Sequence, residues 1–281
     1  MPHVTAVIVT YNNVAMLRDL LGDLCAQSRP VDEIVVVDNA SSDGTEHEVT
    51  ANYPSVKYVR LPENTGSAGG YCEGIRIASA ASDLIWTLDD DVRLEKRALE
   101  FLVQGLETLQ ASTRIGAVRC VGESHSSSLP TELEFVPWRG TLFPVDVIRE
   151  TGLPEREYFL YGEDLEYSLR LRRLGYAFFW IPASRCFERR QGKIRFTLFG
   201  RQQQAYATAF RLYYAFRNEV SIYLTYRCFL RLLRTLLYAM KVAAYLCTAE
   251  RAKSGHKITA IARGIRDGFS HRLGRNQDYV P

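Results

Sequence analysis

Short runs of apolar and β-branched residues alternate with helical patterns along the first part of the chain. The alternation predicts strands within 4–12, 32–45, 56–64 and 84–88, and helices within 14–27 and 66–80. Strands that alternate with helices at short intervals indicate an α/β fold with a mainly parallel central sheet. Each predicted strand ends in polar residues, and ligands of such sheets bind at the carboxyl ends of the strands. We therefore expect the functional site at that edge.

The pattern changes near residue 200, where strand signals end and helical stretches with regularly spaced Arg begin. We predict an α/β catalytic domain over 1–200 and a helical, basic region over 201–281. The net charge of +3 is too small to indicate a nucleic-acid partner. The six cysteines lack metal-binding spacing, which is typical of buried thiols in a reduced compartment. No signal-peptide pattern opens the chain, and we expect the protein to work in the cytoplasm.

Three consecutive carboxylates, Asp89, Asp90 and Asp91, follow the apolar run at 84–88. Like charges crowded at a strand end raise one another's pKa unless a cation offsets them. Carboxylate oxygens suit Mg²⁺ or Mn²⁺, and alternate residues of an extended chain point the same way. Asp89 and Asp91 could therefore face one ion while Asp90 faces elsewhere. The alternative is a helix start, where acidic side chains complement the helix dipole.

Two further polar stretches follow predicted strands. Asp38, in "VVVDNASSDGT" (35–45), could hydrogen-bond a ribose or base, or it could simply form a turn. The glycines of "NTGSAGG" (64–70) allow backbone amides to approach a phosphate or sugar closely. This loop is a weak signal by itself, because its spacing fits neither the dinucleotide nor the phosphate-loop fingerprint.

Five stretches occur together in a characteristic order: "VIVTYN" (7–12), "VVVDNASSDGT" (35–45), "NTGSAGGYCEGI" (64–75), "LDDDV" (88–92) and "YGEDLEYSLRLRRLGY" (161–176). Together they resemble the inverting, GT-A-fold glycosyltransferases of family 2, over roughly the first 190 residues. The form of the glycine-rich stretch is most similar to the galactofuranosyl- and rhamnosyltransferase branch.

The resemblance implies a nucleotide-diphosphate sugar as donor and a divalent metal, Mn²⁺ or Mg²⁺, as cofactor. Thr10 and Asp38 would hold the nucleotide base and ribose. Asp89 and Asp91 would hold the metal that bridges the donor diphosphate. The remaining candidate residues for binding the nucleotide sugar are Asn64, Gly66, Gly69 and Asp90.

The motif "GED" (162–164) carries the general base in the family, and the match assigns that role to Asp164. Glu163 would orient the acceptor or increase the basicity of its neighbour by repulsion. Alternatively, the two acids simply open a helix. Trp138, in "FVPWRGTLFP" (135–144), matches the position where relatives line the acceptor pocket with aromatic residues; core packing is the alternative.

The chain departs from the family in lacking a metal-binding His. Many relatives carry one about six residues after the Pro that ends the next strand, whereas here no His lies between 126 and 255. Counting from Pro182, the position holds Glu188, which could ligate Mn²⁺ or Mg²⁺; otherwise water completes the shell. Basic residues surround it, and they could form a loop closing over the diphosphate or a solvated surface: Arg185, Arg189, Arg190, Lys193 and Arg195.

The stretch 222–247 is long and apolar, but its four cations would make a membrane-spanning position costly, at ~2.5–3.5 kcal/mol each. We predict an amphipathic helix that lies in the plane of an anionic membrane surface, or one that packs on the catalytic domain. The first interpretation predicts peripheral attachment to the cytoplasmic face of the plasma membrane.

Taken together, the sequence predicts a metal-dependent inverting glycosyltransferase. The expected donor is a UDP- or dTDP-sugar such as galactofuranose or rhamnose, and the expected acceptor is a hydroxyl of a cell-surface glycan, in a polyprenyl-linked form. A sugar nucleotidyltransferase is one alternative, but "VTYNNVAM" (9–16) lacks the Gly- and Lys-rich phosphate loop of that class. A non-catalytic membrane-surface scaffold is the other, and the retention of Asp89, Asp91 and Asp164 argues against it.

Overall fold

The computed structural model describes residues 1–111, 113–122, 127–189, 193–198, 201–206, 208–249 and 254–280. The chain divides into two compact units. The first joins Met1–Glu155 to Asp164–Arg190, and the second joins Arg156–Glu163 to Gln191–Pro281. The division therefore falls before residue 200, and the short piece of the second unit includes Gly162 and Glu163, the first two residues of the "GED" motif.

The described residues of the first unit form one large sheet. Its strands are β1 (Val4–Thr10), β2 (Glu33–Asp38), β3 (Lys57–Arg60), β4 (Leu84–Asp89), β5 (Val92–Leu94), β6 (Ile115–Val121), β7 (Thr131–Leu133), β8 (Thr141–Pro144) and β9 (Ala177–Glu188). Their order is β3-β2-β1-β4-β8-β6-β9-β5, and β7 pairs with β9. Strands β1 to β4 pair in parallel, as do β6 and β9, while β8 runs antiparallel between β4 and β6. This mainly parallel sheet confirms the predicted α/β class.

Helices cover both faces of this sheet. They are α1 (Val14–Cys25), α2 (Thr45–Asn52), α3 (Gly66–Ala78), α4 (Ala98–Gln110), α5 (Val145–Thr151) and α6 (Glu163–Arg173). Successive residues of a strand point to opposite faces, so Val7 and Ile8 of β1 belong to two different apolar clusters. Burial of both faces explains why the strands are continuous apolar runs rather than alternating ones.

The strand register brings the polar strand ends together at one edge of the sheet. Thr10 of β1 pairs with Asp38 of β2, and Asp38 pairs with Arg60 of β3. On the other side of β1, Val9 pairs with Asp89 of β4. The carboxyl edge of β1 to β4 therefore carries the groups that the sequence singled out.

The second unit contains a hairpin of β10 (Lys193–Leu198) and β11 (Arg201–Tyr206), followed by α7 (Ala209–Thr225), α8 (Phe229–Ala249) and α9 (Gly255–Phe269). Strand β11 lies beyond the point where the sequence predicted strands to end. Its sequence, "RQQQAY", lacks the alternation of apolar and polar residues that identifies a strand. Antiparallel pairing with β10 determines its conformation instead.

The prediction of one continuous helix over 222–247 is wrong, because the chain breaks at 226–228. Arg227 adopts a left-handed conformation with φ of 55°. The N–H of Cys228 donates to Tyr223 O (2.8 Å) and that of Arg227 to Leu224 O (3.1 Å), the two bonds of a Schellman helix end. Arg227 therefore precedes α8. Within the described part of the chain, no helix is long and apolar enough to cross a membrane.

Candidate active site

Asp38 lies at the end of β2 and is completely buried. Its Oδ1 accepts hydrogen bonds from the backbone N–H and the hydroxyl of Ser41, which form a turn after the strand. Its Oδ2 accepts from the Tyr58 hydroxyl and from Arg60 Nη1, the latter at 2.9 Å. Burial and the bond to Asp38 together raise the pKa of Tyr58. The buried carboxylate is thus held in one orientation by fixed donors.

The side chain of Asn39 holds the start of the glycine-rich stretch. Its Oδ1 accepts from the Thr65 N–H (3.0 Å) and its Nδ2 donates to Gly66 O (3.2 Å). Asn64 Oδ1 accepts from the Gly66 N–H at 2.8 Å, and Gly66 has a positive φ of 71°. A left-handed residue at this point favours glycine. Asn64 and Gly66 therefore shape the backbone where α3 begins.

The next two glycines allow α3 to pack closely. A Cβ on Gly70 would lie 2.5 Å from Val9 Cγ1, and one on Gly69 would collide with the Thr65 hydroxyl. Any side chain at these positions would force the helix away from β1 or distort its first turn. Gly69 and Gly70 thus have a packing role that accounts for them independently of any ligand.

Asp90 is connected to the end of β1. Thr10 Oγ1 donates to its Oδ2 and Asn13 Nδ2 to its Oδ1, both at 2.7 Å. Burial raises the pKa of Asp90 to about 7, with contributions from the neighbouring carboxylates, although these hydrogen bonds oppose the shift. The structure thus brings Thr10 and Asp90 together and gives Asp90 partners different from those of Asp89.

Asp89 has one protein donor and one open oxygen. The Tyr71 hydroxyl donates to its Oδ1 at 2.6 Å, while Oδ2 accepts no hydrogen bond from any residue that the structure describes. Burial raises the pKa of Asp89, and the Tyr71 bond and the charge of Arg139 offset part of this effect. An open oxygen on a carboxylate at a strand end suits an incoming cation.

Trp138 reaches the site through Tyr71. Its ring stacks on the Tyr71 ring with centroids 5.1 Å apart, and it also contacts Phe143 and Tyr167. Trp138 is 3% exposed and belongs to one of the two apolar clusters of the first unit. Its indole Nε1 is buried without a hydrogen-bond partner among the described residues. In this conformation the residue packs in the core and supports the hydroxyl that binds Asp89.

Asp164 follows Glu163 at the start of α6. Its Oδ1 accepts from the Leu165 N–H at 2.8 Å. Burial raises the pKa of Asp164 to about 7; the charge of Asp89 adds to the shift, and Arg119 opposes it. Asp89 and Asp164 are therefore close enough to affect each other electrostatically. Glu163 is buried, with 3% of its surface exposed, whereas Asp164 is half-buried.

Two arginines near these carboxylates were missed in the sequence. Arg119 of β6 is only 8% exposed, and its Nε donates to Arg139 O at 3.1 Å. Register places Arg119 beside Thr141, and Thr141 beside Thr87, two residues before Asp89. Burial lowers the pKa of Arg119. A lone Arg within the apolar strand "IGAVRCV" is the signal that could have identified it.

Arg139 links Asp89 to the position of the missing His. Burial opposes its charge, but the carboxylates of Glu188 and Asp89 outweigh that effect and raise its pKa. Glu188 forms an ion pair with Arg139, and 46% of its side chain is exposed. It pairs across the ladder with Val92, the residue after Asp91. Glu188 thus lies near the carboxylate cluster, with a cation as its partner in this structure.

The carboxylates fit an oxygen-bound divalent ion in their chemistry. Among the described residues, no three His, Cys, Asp or Glu side chains converge closely enough to hold a metal by themselves. Mg²⁺ commonly takes only one or two protein carboxylates, with substrate phosphates as further ligands. The open Oδ2 of Asp89 matches such a site.

The basic stretch after β9 is described only in part. The Arg189 side chain forms an ion pair with Asp19, and the backbone N–H of Arg189 donates to Asp91 O at 3.1 Å. Arg185 is half-buried. Arg190 lies outside the described residues, as do the side chains of Lys193 and Arg195.

The fold is that of the GT-A glycosyltransferases. A mannosyltransferase from Pyrobaculum calidifontis, solved with GDP-Man and Mn²⁺, superposes with a TM-score of 0.59 at 17% identity, covering 96% of this chain and 88% of that one. GalNAc-T7, solved with UDP, GalNAc and Mn²⁺, gives a TM-score of 0.62 at 14% identity, covering 98% and 55%. At these identities the likeness concerns the fold alone.

Sequence comparison narrows the class. The Glycosyl transferase family 2 model matches residues 5–148, and the Glycosyl transferase family group 2 model matches residues 103–249. The chain belongs to glycosyl transferase family 2, and the protein is a glycosyltransferase. This membership confirms the resemblance drawn from the five stretches and sets aside the nucleotidyltransferase and scaffold alternatives.

Curated relatives lie within the same family. A galactofuranosyltransferase of Mycolicibacterium smegmatis is 28% identical over 202 residues, which cover 62% of this chain and 67% of the relative. The undecaprenyl-phosphate mannosyltransferase of Micrococcus luteus is 27% identical over 202 residues, covering 64% and 82%. The chain thus matches about two thirds of the galactofuranosyltransferase's length.

Proposed function

We propose that the chain catalyses metal-dependent, inverting transfer of a sugar from a nucleotide diphosphate to an acceptor hydroxyl. The observation that carries the proposal is the pair Asp89 and Asp164. Both carboxyl groups have pKa values raised by burial, and the charge of Asp89 contributes to the shift of Asp164. Two interacting carboxyl groups with different partners suit two different roles, cation binding and proton transfer.

The donor nucleotide would bind along the carboxyl edge of β1 to β4. In this proposal Thr10 and Asp38 hold the base and ribose. Their position supports this role, because Thr10 and Asp38 are paired at the carboxyl ends of adjacent parallel strands, where ligands of such sheets bind. The remaining contacts to the nucleotide sugar would come from Asn64, Gly66, Gly69 and Asp90.

The metal would be held by Asp89 and Asp91, with Glu188 as a third ligand once it leaves Arg139. When bound, Mn²⁺ or Mg²⁺ supplies positive charge to the donor diphosphate. The open Oδ2 of Asp89 supports this assignment. The donor's own phosphates would complete the shell, as is common for Mg²⁺.

Asp164 is the proposed base. It accepts the proton of the acceptor hydroxyl while that oxygen bonds to the anomeric carbon. The bond from this carbon to the diphosphate breaks at the same time, and the diphosphate leaves with the electron pair. A carboxylate with a pKa of about 7 is well matched to accepting a proton near neutral pH.

Neighbouring side chains would adjust this base and orient the acceptor. The charge of Arg119 favours the ionised forms of Asp89 and Asp164, and the charge of Arg139 favours the ionised form of Asp89. Glu163 would orient the acceptor. Trp138 would contribute to the acceptor pocket, either directly after a side-chain movement or through Tyr71, on which it stacks.

The proposed donor is a UDP- or dTDP-sugar, such as galactofuranose or rhamnose, and the proposed acceptor is a polyprenyl-linked cell-surface glycan. The names of the curated relatives, a galactofuranosyltransferase and an undecaprenyl-phosphate mannosyltransferase, support this choice. Such an acceptor requires work at a membrane, so we propose peripheral attachment to the cytoplasmic face of the plasma membrane.

A thermal-shift panel of UDP-, dTDP- and GDP-sugars tests the proposal. We expect one donor to raise the unfolding temperature in the presence of Mn²⁺ and to lose this effect after chelation, because a ligand that binds the folded state stabilises it by mass action. Asp164→Asn should keep the shift and lose transfer. A panel in which no nucleotide sugar stabilises the protein would contradict the proposal.

A further inference from the structure

One side of α8 is apolar and faces solvent. Its large exposed apolar side chains, which we call the α8 stripe, are Phe229, Leu230, Leu233, Leu237 and Met240, with exposed fractions of 44–64%. Their spacing of three and four residues puts them on neighbouring turns of one helix side. A soluble surface rarely carries a contiguous apolar strip of this kind without a partner.

The stripe is not the side that holds α8 in the fold. Ala239, Val242 and Leu246 of α8 pack with residues of α7 and α9 in an apolar cluster of the second unit, and Leu232 is buried as well. Helix packing therefore leaves the stripe uncovered. The boundary is sharp, because Leu232 is buried and its neighbour Leu233 is exposed.

The charges along α8 have one sign. Between Phe229 and Ala249 the sequence contains Arg231, Arg234 and Lys241 and no acidic residue. Arg234 and Lys241 are seven residues apart, on one border of the stripe, and both are exposed. Neither forms an ion pair or hydrogen bond with any residue in the described ranges. Two unpaired cations beside an apolar strip complement an anionic partner that also has an apolar layer.

A cavity of about 240 Å³ adjoins this border. It is lined by Tyr223, Arg231, Arg234, Thr235 and Tyr238. Guanidinium and hydroxyl groups are suitable donors to phosphate oxygens. Glu219 of α7 also lies on this side and accepts a hydrogen bond from Thr235 at 2.7 Å. Arg231 thus adds a second guanidinium beside Arg234 at the cationic border of the stripe.

We propose that α8 lies in the plane of an anionic lipid bilayer, with the stripe at the acyl boundary and Arg234 and Lys241 on lipid phosphates. The charge pattern favours this partner over a second copy of the chain, because self-association would bring like cations together without an acidic residue of α8 to pair with them. The proposal rests on the proposed function at a membrane, and it identifies the surface of the protein that would contact the lipids.

Vesicle flotation of the full chain, without any sugar donor, tests the proposal. We expect binding to vesicles of phosphatidylglycerol and phosphatidylcholine and much weaker binding to phosphatidylcholine alone. Leu233→Ser combined with Leu237→Ser should weaken binding at least about tenfold, through lost apolar burial. Lys241→Gln should weaken vesicle binding about fivefold at low salt, because each Lys or Arg near an anionic membrane surface contributes a small part of the binding free energy.

Matched variants elsewhere provide the controls. Leu129→Ser removes a leucine of the first unit that is 72% exposed, more than either leucine of the double variant, and Lys96→Gln removes an exposed lysine of the same unit; neither should change vesicle binding. Equal binding to neutral and anionic vesicles, or no binding at all, would overturn the proposal. So would a concentration-dependent increase in mass that the leucine variants abolish, because a second copy would then cover the stripe. Stabilisation by a nucleotide sugar is measured in a separate experiment. The absence of vesicle binding would therefore contradict the membrane proposal without contradicting the proposed transferase activity.

Discussion

The carboxyl edge of the main sheet carries negatively charged groups that are largely shielded from water, whereas the surface of α8 carries positively charged groups that are exposed to it. At the edge, burial raises the pKa values of Asp89, Asp90 and Asp164. On α8, Arg234 and Lys241 are exposed and lie beside apolar side chains. Water screens an exposed charge strongly and a buried charge weakly, so the two settings differ in how much a single charge matters.

This difference predicts two kinds of sensitivity. Each of these half-buried carboxylates depends on a few identified donors, so its replacement should change chemistry or stability substantially. Each exposed cation of α8 acts through many weak, screened interactions, so its replacement should affect only binding to a charged surface. The four experiments that follow test this contrast, from the largest expected effect to the smallest.

Metal removal should have the largest effect, because the proposed donor phosphates and Asp89 both need a cation. We expect chelation with EDTA to abolish sugar transfer and Mn²⁺ or Mg²⁺ to restore it. Asp89→Asn should reproduce the loss even in excess metal, since it removes the anionic ligand at nearly constant size. Radiolabelled sugar transfer measures both effects. Full activity after exhaustive chelation would show that the buried carboxylates act without a metal.

Asp164→Asn should reduce turnover by ~10²–10⁴-fold, the usual contribution of a general base. Nucleotide affinity should stay within a few-fold of wild type, because the proposed nucleotide contacts lie elsewhere. Steady-state kinetics with titration calorimetry separate the two quantities. Asp146→Asn is the matched control, since the Asp146 side chain is 91% exposed and, among the residues that the structure describes, forms an ion pair with Arg149 alone. A variant at 164 that keeps most of its turnover would assign the base to another group.

A pair of arginine variants compares the two settings directly. Arg119→Gln removes a buried cation next to Asp89 and Asp164, and we expect it to lower the free energy of unfolding by about 1–3 kcal/mol. Arg234→Gln removes an exposed cation of α8, and the change should stay within about 0.5 kcal/mol. Urea denaturation measures both. Equal stability of the two variants would mean that the buried carboxylates do not require the charge of Arg119.

The site residues that the sequence identified are those at the ends of periodic strands. Thr10, Asp38 and Asp89 each follow a buried run, and parallel pairing of neighbouring strands brings such ends to one edge. Local pattern and motif order were therefore sufficient to predict this part of the site and the α/β class.

The remaining features depend on contacts between distant parts of the chain. Arg119 approaches Asp89 only because β8 joins β4 to β6, a pairing that no local pattern determines. The helix end at Arg227 has neither Gly nor Pro to mark it, and backbone hydrogen bonds form it instead. Trp138 has the same local sequence whether it packs in a core or lines a pocket, so its burial required the structure.

Glu188 should give the smallest effect, because it lies between the two settings. Its half-exposed carboxylate pairs with Arg139, and it must give up this ion pair to bind a metal. A pair of this exposure contributes only ~0–1 kcal/mol, so the exchange is feasible and its net gain is small. We expect Glu188→Ala to weaken Mn²⁺ binding by about 1 kcal/mol or less, and Glu188→His to be tolerated better, since imidazole also ligates Mn²⁺.

Metal titrations of the wild type and both variants, with Arg139→Gln as a further arm, distinguish the roles. If Glu188 is a ligand, Arg139→Gln should strengthen Mn²⁺ binding by freeing the carboxylate. If the alanine variant binds Mn²⁺ as tightly as wild type, Glu188 serves only as the partner of Arg139, and water or phosphate completes the metal shell.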